Sequence, residues 1–209
     1  MNTEFPATDL VILAGGQARR MNGMNKLLQQ FDDQVQLTKI CQNFKAEVQN
    51  IWVNSHRDSS IYKHIEPDIQ CYADDQSGFL GPLMGMKSAW SQVQSDYVLF
   101  IPCDVTYIPN QVLAKLHRAL QKSTLAQVAY VMINGDALYP FCLLKRASLQ
   151  ILEQQIAANK LSLRACFKLL HAQNASFQKQ SLFCHSINSL DELQQYQQIK
   201  AFKRMLISN

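Results

Sequence analysis

Four short apolar runs, each separated from the next by a longer segment of mixed or helical character, set the strongest limit on what this chain can fold into. They are Leu10 to Leu13, Asn50 to Asn54, Ile69 to Tyr72 and Tyr97 to Ile101. Each has the length and the β-branched or aromatic content of a buried strand. The first ends at the small residues Ala14-Gly15-Gly16, a tight turn, and the others end in polar residues. Between them, Leu37, Ile40, Cys41 and Phe44 form one apolar helical stripe, and Leu83, Met86, Ala89, Trp90 and Val93 form another behind Pro82. This alternation predicts an α/β fold: a mostly parallel sheet with helices on both faces and right-handed crossovers. Ligands on such sheets bind at the carboxyl ends of the strands, so the residues just after Leu13, Trp52-Val53, Tyr72 and Ile101 are expected to line one cleft.

The second half changes character. Gln127 to Met132 and Leu138 to Leu143 flank Asn134-Gly135-Asp136, a signal for an antiparallel hairpin. Helices are expected over Leu149 to Ala158 and Leu163 to Ala172, a strand over Phe183 to Ile187, and a final helix from about Asp191. No linker or repeat interrupts the pattern, so residues 1–209 are read as a single domain.

Composition narrows the function classes. With 47% hydrophobic and 17% charged residues, the chain is neither disordered nor fibrous. A formal charge of +4, scattered along the sequence, argues against a nucleic-acid-binding face and suits a small polyanionic substrate. The six cysteines lie far apart with no C-x-x-C pair, and are expected to be reduced core residues. The first nine residues lack the pattern of a secretory signal, and no window reaches the apolar length of a membrane span. The cytoplasm is the expected location.

The loop from Leu13 to Lys26 holds three glycines and three cations, Arg19, Arg20 and Lys26, directly after a buried strand. Its small residues let backbone N–H groups approach phosphates, and its cations neutralise a triphosphate; the plainer alternative is a tight turn with solvated cations. Gly15-Gly16 lacks the spacing of a dinucleotide fingerprint, and Lys26 is followed by Leu27 where a P-loop needs Ser or Thr. In Phe100-Ile101-Pro102-Cys103-Asp104, a carboxylate follows a buried strand by a few residues. Beside the phosphate loop it suits a Mg²⁺ ligand, although a lone Asp also caps helices. Cys103 has no neighbouring histidine and is expected to be a packed thiol. Asn54 and Asp74 place an amide and a carboxylate where a base edge and a ribose are read, or simply serve their own loops. Gly78 to Met86 allows close backbone approach to a ligand, or only starts a helix.

Together these residues resemble the molybdenum cofactor guanylyltransferases, which attach GMP from GTP to molybdenum-bearing molybdopterin. The likeness runs from Leu10 to about Gln198. It is anchored in Leu13-Ala14-Gly15-Gly16 with Arg20-Met21 and Lys26, Val53-Asn54, Gly81-Pro82-Leu83, Pro102-Cys103-Asp104 with Tyr107-Ile108-Pro109, and Ile187-Asn188-Ser189. The resemblance implies a Rossmann-like nucleotidyltransferase domain. GTP would be held by Leu13, Ala14, Gly15 and Gly16 with Lys26, Asn54, Asp74 and Asp104, and Mg²⁺ by Asp104. Arg20 and Lys26 would neutralise the phosphates, with Asn188 and Arg164 on the pterin side. The implied partners are GTP, molybdenum-molybdopterin and molybdoenzyme apoproteins or their chaperones, with neither nucleic acid nor membrane. The chain departs from the usual pattern at Asn25, where the family has Asp, at Asn22 for Gly, at Tyr139 for a polar residue and at Ser186 for Asn.

Two other functions fit the same cleft. One is a cytidylyltransferase acting on the same pterin or on a sugar or polyol phosphate, against which Gly15-Gly16 and Pro102-Cys103-Asp104 weigh. The other is a carrier that binds a nucleotide or the cofactor without turnover, which release of pyrophosphate would exclude.

Overall fold

The computed structural model describes residues 5–16, 23–78, 80–179, 186–187 and 189–207. Strand β1 (Thr8–Leu13) is buried along its whole length, which suits the centre of a sheet. It pairs in parallel with β4 (Ile51–Asn54) on one side and β6 (Tyr97–Pro102) on the other, and β5 (Gln70–Tyr72) pairs in parallel beyond β4. Next to β6 lies β8 (Asp136–Lys145), then β7 (Val128–Ile133), then β9 (Gln173–Phe177). Only β8 runs against the rest, antiparallel to both β6 and β7, so the predicted mostly parallel sheet with a hairpin in the second half is present.

Helices cover both faces. On one side α1 (Gln36–Phe44), α2 (Ser59–Ile65) and α4 (Val112–Gln121) pack against Leu10, Ile12, Val53, Leu99 and Ile101. On the other, α3 (Pro82–Ala89), α5 (Leu149–Ala157) and α6 (Leu163–Leu169) pack against Val11, Leu13, Val98 and Phe100. The alternation of β1 side chains between these two layers is the period of two that a strand imposes. Helix α1 buries Leu37, Ile40, Cys41 and Phe44 at one-turn spacing, and α3 has Pro82 in its first turn.

Two expectations change. The helix expected to reach Ala172 stops at Leu169, His171 takes a left-handed backbone conformation (φ 51°), and Gln173–Phe177 forms β9 instead. Its polar Gln173-Asn174 and Ser176 hide a strand whose inward residues are Ala175 and Phe177. The strand expected over Phe183 to Ile187 lies largely outside the described residues, and Ser186 makes an isolated antiparallel bridge to Val105. Among the described residues no helix is long and apolar enough to cross a membrane.

The small hairpin of β2 (Gln30–Phe31) and β3 (Gln34–Val35) receives α7 (Leu190–Ile207). Phe31, Ile187, Leu193 and Tyr196 bury one another there. Beside them, Asp32 accepts hydrogen bonds from the Tyr196 hydroxyl, the Lys39 ammonium and the Lys200 ammonium, each at 2.6 Å. Burial alone would raise the Asp32 pKa, yet these three partners outweigh it and lower the value to about 2.

Candidate active site

The strand order turns at β1, with β4 and β5 added on one side and β6 on the other. A cleft of about 650 Å³ opens at the carboxyl ends of these four strands. Leu13, Ala14, Gly15, Gly16, Lys26, Asn54, Asp74 and Asp104 all line it, so eight expected site residues from separate parts of the chain meet in one place. The volume is that of a small-molecule site.

On the β1 side, the turn leaves the strand with the Ala14 N–H donating to the Asn54 carbonyl (2.9 Å). The Asn54 side chain, 3% exposed, is wedged between glycines. A Cβ on Gly15 would meet Asn54 Oδ1 at 3.1 Å, and one on Gly85 would meet it at 2.4 Å. Asn54 Nδ2 donates to Asp74 Oδ1 (2.8 Å), whose other oxygen lies 3.2 Å from His56 Nε2. The β4 amide and the carboxylate after β5 therefore form one unit on the cleft wall.

Opposite them, Lys26 opens a 3-10 turn (Lys26–Leu28) anchored by the fully buried Leu27. Its ammonium donates to Asp104 Oδ2 at 2.9 Å, with both side chains only 15–17% exposed. Asn25 caps this turn: its Oδ1 accepts from the Leu27 N–H (3.0 Å) and its Nδ2 donates to Asp58 Oδ2 and to the Tyr62 hydroxyl, each at 2.6 Å. The Ile187 N–H donates to the Asp104 carbonyl (3.1 Å), which ties the late segment to the β6 end of the cleft.

Arg20 and Asn188, expected on the phosphate and pterin sides, lie outside the described residues. Arg164 does not line the cleft. It is exposed on α6, near Tyr130, which packs at a tilt against Tyr139 (ring centroids 4.9 Å apart, planes at 41°) and against Phe167.

Two lining residues, Arg57 and Pro140, were not anticipated, and Asn25 was read only as part of the loop before Lys26. Arg57 follows β4 and donates from Nη1 to the Gly23 carbonyl at 2.7 Å; its place three residues past a strand end was the available signal. Asn25 also lines the cleft, next to Lys26. Pro140 arrives through a bulge, where Tyr130 pairs with Cys142 but Val131 pairs with Leu138. A bulge is where a proline inside a sheet is tolerated, and it bends the strand. Cys103 lines the cleft as a protonated thiol: burial, then the charge of Asp104, pushes its pKa up to about 12. The five described cysteines are free thiols, three buried and two, Cys71 and Cys103, half-buried.

Residues 10–194 match the family described as MobA-like NTP transferase domain. The molybdenum cofactor guanylyltransferase of Acinetobacter baumannii is 73% identical over 209 residues, all of both chains. That of Pasteurella multocida is 35% identical over 185 residues, covering 88% of this chain and 96% of the relative. Among solved structures, molybdopterin-guanine dinucleotide biosynthesis protein A from Archaeoglobus fulgidus is similar with a TM-score of 0.68 at 15% identity, over 92% of this chain and 98% of that one. That last likeness speaks for the fold; the sequence matches speak for descent. With the cleft residues assembled as described and near-complete coverage by these relatives, the chain belongs to the molybdenum cofactor guanylyltransferases, a family of nucleotidyltransferases.

Proposed function

We propose that the whole chain is one nucleotidyltransferase domain that transfers GMP from GTP to molybdenum-molybdopterin and releases pyrophosphate. The observation that carries this reading is the convergence on one cleft of a small-residue turn, the Lys26–Asp104 pair and the Asn54–Asp74 unit. A terminal phosphate oxygen of the acceptor attacks the α-phosphorus of GTP. The bond from that phosphorus to the bridging oxygen breaks, and pyrophosphate leaves with the electron pair. An acceptor that is already an anion needs positioning and charge neutralisation rather than a base. Lys26 supplies a cation on one wall, Arg57 a second, and the turn from Ala14 to Gly16 leaves room for phosphates beside the backbone. The Asn54–Asp74 unit faces the guanosine, with Asp74 accepting from a ribose hydroxyl or a base amine.

The reaction calls for Mg²⁺, and the donor set fits that ion. Among the described residues no three carboxylates, histidines or cysteines form a dedicated cage. Mg²⁺ does not need one, since it keeps several waters and takes one or two carboxylates with substrate phosphates. Asp104 would hold it, and its charge would offset that of the departing pyrophosphate. Arg20, Asn188 and Arg164 remain assigned to the substrate phosphates and the pterin side. Arg164 then requires the acceptor to extend past Pro140 toward α6. On this reading the protein works in the cytoplasm, where GTP is available, and passes its product to molybdoenzyme apoproteins or their chaperones.

Thermal unfolding with each NTP, with and without Mg²⁺, tests the proposal. A ligand at a hundredfold excess over Kd stabilises the native state by roughly 2.7 kcal/mol. In a chain of this size that is about 5–10 °C. A GTP-selective, Mg²⁺-dependent rise is expected. A CTP-selective rise would transfer the reading to cytidylyl transfer, and GTP binding without pyrophosphate release in the presence of acceptor would make the protein a carrier.

A further inference from the structure

The residue before Lys26 is an amide, and the tertiary structure shows what that amide needs. The Leu27 N–H can only donate, so it takes Asn25 Oδ1; Nδ2 is thereby turned to Asp58 Oδ2 and the Tyr62 hydroxyl, both at 2.6 Å. Tyr62 is fully buried, so this side of the network has no slack. Asp58 holds a left-handed backbone conformation (φ 61°, ψ 16°), which an L residue other than glycine adopts at some strain. It stands at the N-cap of α2 yet makes no capping bond, the usual use of an aspartate there. Its carboxylate is directed to Asn25 instead, with Arg57 Nε 3.7 Å from the same oxygen. Arg57 also grips the Gly23 carbonyl, so the loop after β4 holds the chain at residues 23 and 25, immediately before Lys26.

We propose that Asp58 is a positioning residue for Lys26, acting through Asn25: the Asp58 carboxylate and the amide at position 25 are matched partners that fix the turn carrying the lysine. An aspartate at position 25 would set two carboxylates at hydrogen-bond distance, a like-charge contact that the buried Tyr62 prevents from relaxing. An asparagine at position 58 keeps the left-handed backbone without added strain. Exchanging the two residues therefore preserves one carboxylate, one amide, the Leu27 cap and the Tyr62 contact. The role rests on the nucleotide reading of this cleft.

The test is a double-mutant cycle of Asn25→Asp, Asp58→Asn and the exchange of both in the full chain. Each protein is assayed for Mg²⁺-GTP affinity and for the unfolding midpoint without ligand. Asn25→Asp is expected to weaken GTP binding by about tenfold or more, and the exchange is expected to recover most of that loss. The proposal is overturned if Asn25→Asp binds like the parent, if the exchange binds no better than Asn25→Asp, or if coupling appears in the ligand-free midpoint but not in GTP affinity. A parent protein that does not bind GTP overturns the functional reading and this role together. Binding by the parent with no coupling overturns this role alone.

Discussion

At the scale of single residues, the site depends on close approach as much as on charge. Asn54 reaches Asp74 only because Gly15 and Gly85 present no side chain to its Oδ1. For Gly85→Ala the new Cβ would fall 2.4 Å from that oxygen and 3.1 Å from Leu13 Cδ2, and neither neighbour is a loose surface tip. We predict a loss of about 1–3 kcal/mol in stability, the usual cost of forcing volume into a packed site. GTP affinity should fall as well, because the displaced Asn54 no longer holds Asp74. Denaturant unfolding and nucleotide titration of the variant check both, and unchanged affinity would show that the Asn54–Asp74 unit does not face the nucleotide. Asn54, Asp74 and Asp104 were legible in the sequence from their places after buried runs. The need for glycine at position 85 was not, because the atom it must avoid belongs to a distant strand.

At the scale of elements, α4 is tied to β1 by a polar contact inside an apolar layer. His117 Nε2 lies 3.0 Å from Thr8 Oγ1, and the ring stacks on Phe5 and packs against Tyr97. Burial lowers its pKa from 6.5 to about 4, since the charged ring would lose its hydration. In the unfolded chain the ring protonates near pH 6.5, so the unfolded state binds more protons below that pH. Stability should therefore be complete above about pH 6.5 and decline as the pH falls toward 4, by about 3 kcal/mol in all. Urea unfolding between pH 4 and 7 should show this slope in the parent, and a shallower one in His117→Gln at a lower neutral-pH stability. Asp32 acts in a separate window: its folded pKa of about 2 lies below the ordinary 3.8, so its contribution is lost only under stronger acid. Helices α1 and α3 were legible from their stripes, whereas α4, with inward residues Val112, Leu113, Leu116, Ala119 and Leu120, escaped a reading fixed on the strand ends. Strand β9 escaped because three of its five residues are polar, two of which, Asn174 and Ser176, face outward.

At the scale of the whole molecule, the sheet brings the ends of β1, β4, β5 and β6 to one cleft and leaves α6 to one side. Hydrogen exchange should report this geometry. Adding Mg²⁺-GTP should slow exchange together in the segments around Ala14 to Gly16, Asn25 to Leu28, Asn54 to Asp58 and Cys103 to Asp104, while α6 with Arg164 remains unchanged until an acceptor is added. Protection of α6 by GTP alone would place Arg164 on the nucleotide.

The sequence by itself determined the α/β class, the strand-end location of the cleft and most of the polar residues that line it. Those features follow from local rules: apolar runs of strand length, helical periodicity, and small residues where a turn must leave a strand. Only the tertiary structure decided that Asn25 is partnered by Asp58, that Arg57 and Pro140 join the cleft, and that Arg164 stands outside it. Each of these depends on which loops and bulges meet across the sheet, and hydrogen bonds and packing between distant segments have no period along the chain to read.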